Sequence, residues 1–407
     1  MTERERRRRI VDYLRSGKSE DAAAELDASR EAYPGDGMLH HAIGLAFASR
    51  GTLGRARDQL EAAAKLGPQS ADILADLAQV RLAQGAVRGA IEAAERALAL
   101  NPNVALARFT LGRACLSAEC ARQARSHSQP TGRHAFPLID GRTPLYLRAM
   151  REMEAALEAS PPFAGAVRGA LAFAYLRAGH YHAAAEQLQA GLAELPPGEE
   201  ADRVRARLLH AEHEIVRECY WSPDQLDVEA MREAGPAPDA APENVLRLAH
   251  AYAVSEDKEA MESALSRALA LAYNPRAALV SRIIGESRLY QQVSDAHVLI
   301  AGGLECIMGH ELRFLPFSAL DSVTLAQSGL WRSAAVRFTS GEEADVVVPS
   351  LYRLSLRSPS DLIQSGRFTQ FSYAPGETRY AHAIGVRNLA TEDGVIPFGE
   401  VAAIEFP

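Results

Sequence analysis

Two groups of residues in this 407-residue chain are of the types that bind metals. Cys115 and Cys120 are followed by His127 and His134, but without the spacing usual for a zinc site. Cys115 also falls where a repeat helix needs a core residue. His210 and His213, with Glu214 and Cys219 beyond, could share one helix face. Arg203, Arg205, Arg207, Glu212 and Arg217 surround them, a composition that reads as a solvated, charge-rich helix rather than a ligand set. For covalent or group-transfer chemistry there is no Walker loop, GxGxxG, GxSxG or HExxH. Gly302-Gly303 lies in a strand pattern, where a bulge is expected rather than a phosphate cradle. The reading is a non-enzymatic protein with no catalytic residue, no metal and no cofactor.

The strongest spacing in the chain belongs to small residues that position helices. In a 34-residue frame opened at Gly37, Gly44, Phe47, Gly51, Ala56, Ala63 and Pro68 occupy places 8, 11, 15, 20, 27 and 32. Reopened at Ala71, the frame places Gly85, Ala90, Ala97 and Pro102 at the last four of those places. Small side chains there let two antiparallel helices close on each other, and proline stops the second. Run backwards to Glu3, the frame catches Tyr13, Gly17, Ala22, Leu26 and Pro34, leaving Arg6 to Arg9 on a solvated helix face. This period and pattern resemble the tetratricopeptide repeat.

A fourth unit opens at Ala105 with Leu111, Gly112 and Cys115, then breaks into a Ser, Gly, Pro, Arg and His-rich stretch over 121–143, read as a loop insertion. Helical pattern resumes at Leu145 (Ala149, Met153, Ala156, Pro161), and a fifth unit covers 165–198. Beyond it the period decays. The expectation is a long helix over 201–220, a linker over 223–242, a divergent hairpin over 243–272 and a last helix over 277–290.

Places 2, 5, 9 and 12 of each first helix step by 3, 4 and 3 and so form one stripe, which in such repeats faces the concave side. The stripe includes Val11 and Leu14, then Met38, His41 and Leu45, then Gln79 and Leu82. It continues with Phe109, Arg113 and Leu116, and after the insertion with Phe173 and Leu176. Apolar residues with scattered polar ones suit an amphipathic partner helix laid into a groove.

From His297 the texture changes to short, alternating, β-rich runs. Expected strands are 298–308, 311–316, 335–339, 344–348, 368–373, 378–386 and 401–406, separated by turn signals such as Pro375-Gly376-Glu377 and Asp393-Gly394. Glu305, Phe314-Leu315-Pro316-Phe317 and Leu330-Trp331-Arg332-Ser333-Ala334 stand in this region. They are followed by Pro349-Ser350-Leu351-Tyr352, Ser365-Gly366-Arg367-Phe368-Thr369 and Gly385-Val386-Arg387. In that order and spacing these motifs resemble the ImpE family, also called TagJ or SciE-like, accessory proteins of the bacterial type VI secretion system. The resemblance covers roughly 297 to 406 and includes Trp331, Pro349, Tyr352, Arg367 and Arg387, to which it attaches no role. The sequence departs from the family's pattern around the tryptophan, where Gln327-Ser328-Gly329-Leu330 precedes it, and in Gln370-Phe371 and Arg353. The resemblance implies a partner in the contractile sheath, some members binding the N-terminal helix of its small subunit.

Composition sets the remaining bounds. Net charge of −8 argues against a general nucleic-acid binder. Four unevenly spaced cysteines do not make a disulfide framework, and no apolar run suits a membrane span or secretory signal, so a cytoplasmic protein is expected. The expected fold is α+β. Residues 1–120 carry tetratricopeptide-like repeats of an α-solenoid, 121–143 the insertion, 144–290 further repeats and capping helices, and 297–407 a small, mostly antiparallel β domain. The expected function is an adaptor of type VI secretion. The alternatives are a regulatory repeat protein whose β domain binds a small ligand, or an enzyme.

Overall fold

The structure, a computed structural model, describes residues 3–28, 36–67, 70–126, 139–159, 161–221, 276–295, 303–326, 331–352, 355–358, 369–373, 381–385 and 387–407. The chain divides into two compact units, Met1–Arg122 with Asp140–Ala174, and Gln123–Ile139 with Tyr175–Pro407.

The first unit is built of helix pairs that keep the 34-residue step. They are α1 (Glu3–Arg15) and α2 (Ser19–Ala28), α3 (Gly37–Ser49) and α4 (Leu53–Leu66), and α5 (Ala71–Ala83) and α6 (Val87–Leu100). Asp36 and Ser70 cap α3 and α5 by accepting from the backbone N–H three residues on. At place 15 the chain must turn between paired helices, and Gly17, Gly51 and Gly85 all take positive φ there, 74 to 76°. Only glycine adopts that conformation without strain. Place 8 is small because the helices touch: a Cβ on Gly44 would lie 2.7 Å from Leu60 Cγ on the partner helix. Ile43, Phe47, Ala56, Leu60 and Leu74 fill the core between layers, each large side chain worth about 1.5–3 kcal/mol on burial.

The fourth pair survives its insertion. α7 (Ala105–Ser126) runs six residues into the stretch expected to be loop, and α8 (Pro144–Glu158) begins at Pro144, directly after the Thr143 cap. Gly112 of α7 lies against Met153 and Ala149 of α8, the place-8 contact made across the insertion. Residues 127–138, with His127 and His134, lie outside the described residues. α9 (Ala164–Ala178) and α10 (Tyr181–Glu194) follow, joined at Gly179 with φ 81°. α11 (Glu199–Trp221) is the expected long helix; the expected linker and hairpin over 223–272 fall outside the described residues.

In the second unit the expectation of a helix over 277–290 is overturned. β1 (Ala277–Ser281) and β2 (Ser287–Tyr290) form a hairpin there, turning at Gly285 with φ 71°. β1 also pairs antiparallel with β13 (Val401–Glu405) at the far end of the chain, a non-local pairing that outweighs a short apolar run's helical pattern. The β region therefore starts near 277, and a domain boundary at 290 would cut through its sheet. The other strands are β3 (Ser294–Asp295), β4 (Gly303–Met308), β5 (Glu311–Pro316), β6 (Leu320–Leu325), β7 (Trp331–Phe338) and β8 (Glu343–Pro349). β9 (Thr369–Tyr373), β10 (Ala381–Gly385), β11 (Asn388–Thr391) and β12 (Gly394–Pro397) complete the set among the described residues.

Eight strands form one antiparallel sheet in the order β2-β1-β13-β6-β7-β8-β4-β5, with a β9–β10 pair and a β12-β11-β3 sheet beside it. Its core centres on Leu304, Cys306, Val323, Val336, Val348 and Ile404. Gly303 is not a bulge, because it pairs in register with Pro316. A Cβ there would lie 2.5 Å from Leu315 O and 2.7 Å from Phe314 Cζ, so close strand approach is what requires the glycine.

Candidate functional site

Two places gather the residues singled out by sequence: the first-helix stripe of the repeats, and the join of α11 with the β sheet.

Along the stripe the first helices α1, α3 and α5 lie side by side, and His41 of α3 hydrogen-bonds Asp76 of α5 at 2.7 Å. Met38, Leu45 and Phe173 are exposed, at 64, 41 and 45 %. Gln79 and Arg113 are exposed, while Val11, Leu14 and Leu82 are half-buried. The rest departs from expectation. Phe109 and Leu116 are buried, as is Leu176, which falls in the second unit. Phe109 packs its ring 5.7 Å from Phe163, and the Arg113 guanidinium covers it at 5.5 Å, so it serves the interior of its own unit. The outward-facing apolar part of the stripe therefore reduces to Met38, Leu45 and Phe173.

At the second place the sequence reading needs correction. α11 is not solvated on the face carrying His210, Glu214 and Arg217: all three are buried. Arg203, Arg205, Arg207 and Glu212 are exposed, as expected of the opposite face. Arg217 donates from Nε and Nη2 to the two carboxylate oxygens of Glu305 in β4, at 2.9 and 2.6 Å. Its Nη1 reaches Glu214 and the Leu351 carbonyl, each at 3.3 Å. Trp331 packs over this group, 5.7 Å from the guanidinium and 4.8 Å from the His213 ring.

Burial shapes the protonation of the whole group. Desolvation, helped by the positive charge of Arg217, pulls His210 down to about 3. His213 is lowered as well, by burial. Glu214 rises to about 7, because desolvation outweighs the single long contact from a guanidinium committed to Glu305. Both nitrogens of His210 and the Trp331 Nε1 are buried without a hydrogen-bond partner. His210 and Glu214 are buried and His213 is half-buried against the Trp331 ring.

Arg387 has an internal role: it pairs with Asp295 of β3, donates to the Glu305 carbonyl at 3.4 Å, and stacks on Phe398 at 5.2 Å. The Tyr352 hydroxyl donates to Asn388 O at 3.1 Å and accepts from Asn388 N–H at 2.9 Å. Pro349 pairs with Trp331 across β7 and β8; Arg367 lies outside the described residues. Glu305, Asp295, Tyr352 and Arg387 thus form one buried polar network, with the half-buried Trp331 ring packed against it, and Arg217 joins it from a helix 88 residues upstream of Glu305. A buried charge at helical spacing from two histidines is the sole sequence trace of that join.

Of the possible metal ligands, Cys115 and Cys120 are buried and Cys219 is exposed. Among the described residues no three His, Cys, Asp or Glu side chains gather as a metal site, and no helix is long and apolar enough to cross a membrane.

Comparison with known proteins supports both regions. The tetratricopeptide repeat family matches residues 8–71 and 75–119, and the ImpE protein family matches residues 287–405, from the first residue of β2 into β13. No curated protein matches the chain. Among solved structures it is similar to protein VPA1032 from Vibrio parahaemolyticus, at 14 % identity and TM-score 0.46 over 64 % of this chain and 93 % of that one. It is similar to MamA at 18 % identity and TM-score 0.35, over 45 % of this chain and 91 % of that one. YrrB, titled a TPR protein with an unusual peptide-binding site, is similar at 17 % identity and TM-score 0.35, over 50 % and 88 %.

Proposed function

We propose that this protein is a non-enzymatic, cytoplasmic adaptor of the type VI secretion system that holds an amphipathic helix of the small sheath subunit on its first-helix stripe. The ImpE match supports the machine and the repeat match supports a protein partner. One observation carries the site: Met38, Leu45 and Phe173 are exposed apolar side chains standing at stripe places, with polar Gln79 and Arg113 between. An amphipathic helix would cover such a stripe with its apolar face and meet those polar groups at its margin.

The test is capture from a lysate of a bacterium with a type VI system, using the full-length chain as bait, since a cut at 290 would split the β1–β2 hairpin from its sheet. The intact protein should retain the small sheath subunit, and the pair Met38→Asp, Leu45→Asp should lose it while keeping its thermal transition. Retention of no sheath component by the intact protein removes the secretion reading.

A further inference from the structure

Four arginines packed in or against the sheet of the second unit are of two kinds. Arg217 and Arg387 each close on a buried carboxylate, Glu305 and Asp295. Arg332 and Arg282 have no ion pair among the described residues and make all their side-chain hydrogen bonds there to backbone carbonyls, the Arg332 guanidinium also lying over the Phe398 ring at 5.4 Å. Arg332, buried on β7, donates from Nε and Nη2 to Ala326 O at 3.1 and 2.9 Å, from Nη1 to Phe398 O at 2.8 Å, and from Nη2 to Val401 O at 3.1 Å. Arg282, the residue after β1, uses Nη2 for Leu325 O, Ala326 O and Val401 O at 2.9, 3.1 and 3.1 Å. The two guanidiniums therefore converge on the Ala326 and Val401 carbonyls.

That arrangement is electrostatically incomplete. Carbonyl oxygens bring partial charge only, and two full positive charges share them where water is partly excluded. The strain registers on Arg332, whose pKa is lowered to about 10, first by burial and then by Arg282. Arg282 Nε is buried with no hydrogen-bond partner, and Nη1, unlike Nη2, donates to nothing among the described residues, so Nη1 is the donor left for a group arriving from solvent. Arg282 is half-buried and Ala326 exposed, which leaves the pair within reach of solvent on that side.

We propose that Arg282, backed by Arg332, is an oxyanion seat that takes a carboxylate or phosphate group. The N–H groups of Nη1 suit an oxygen of either, and the second positive charge behind them favours an anion over water. This reading is independent of helix capture by the repeats.

The test uses the full-length chain in sodium phosphate, sodium acetate or sodium chloride at equal ionic strength and pH, with binding followed by calorimetry and thermal denaturation. Phosphate or acetate should stabilise saturably beyond chloride, and which of the two does so identifies the class. Arg282→Gln should weaken that binding about tenfold, while Arg288→Gln, which removes an exposed arginine paired with Asp393, should leave it unchanged. Should Arg282→Gln fold poorly, the Nε–H resonance of Arg282 in the unsubstituted protein should shift with phosphate or acetate and not with chloride. An equal response in Arg282→Gln, or a response that follows ionic strength alone, overturns the proposal.

Discussion

The guanidinium of Arg217 closes on both carboxylate oxygens of Glu305, joining α11 to β4 of the eight-stranded sheet at a point where each side chain is 1–2 % exposed. Breaking a buried pair from one side strands a charge, which typically costs about 3–5 kcal/mol. Arg217→Met or Glu305→Gln alone should lower the urea stability of the second unit by that order. The joint change Arg217→Met with Glu305→Leu should cost less than either alone. Additive losses would show that the two side chains are not coupled.

The acid–base behaviour of this join should run in two opposed directions. His210 is protonated more readily unfolded, near 6.5, than folded, near 3, so its contribution is complete above pH 6.5 and is lost as pH falls toward 3. Glu214 is raised from 4.5 to about 7, so its contribution is complete below 4.5 and is lost as pH rises through 7. His210→Asn should flatten the acid limb of a stability–pH curve measured by denaturation, and Glu214→Gln the limb near neutrality. Unchanged limbs in both variants would mean that neither group is buried as described.

Gly112 and Gly165 make a matched pair for testing the repeat contact. A methyl group on Gly112 would lie 2.5 Å from Met153 Cγ and 2.8 Å from Ala149 O, so Gly112→Ala should force α7 from α8 and cost about 1–3 kcal/mol. Gly165 has nothing within 4 Å, and Gly165→Ala should be neutral or stabilise by up to about 1 kcal/mol in the thermal transition.

Thiol labelling reports burial directly. Cys219 is exposed, whereas Cys115 and Cys306 are buried and their thiols are raised by desolvation, Cys306 to about 12. Iodoacetamide at pH 8 should modify Cys219 in the native protein and reach Cys306 only on denaturation, as read by mass spectrometry.

The repeats were legible because their signals are local: glycine at the turn, small residues at the close approach and a constant 34-residue step all lie within one helix pair. The sheet was less so. β1 depends on a partner over 100 residues away, and β6 loses its alternation at an irregularity between Leu320 and Ser322. The stripe's spacing was readable, but the burial of Phe109 depends on Phe163 across the insertion. Arg217 read as a surface charge because its helix is charge-rich all round, and a single sequence does not announce Glu305 as its partner.

The central claim concerns the stripe, and a photo-crosslinking amino acid placed at Leu45 in a bacterium with a type VI system tests it most directly. The account predicts a crosslink to the small sheath subunit from position 45 and none from Leu66, which is equally exposed but lies on the second helix of its repeat. Equal crosslinking from both positions, or none to any sheath component from position 45, would contradict it.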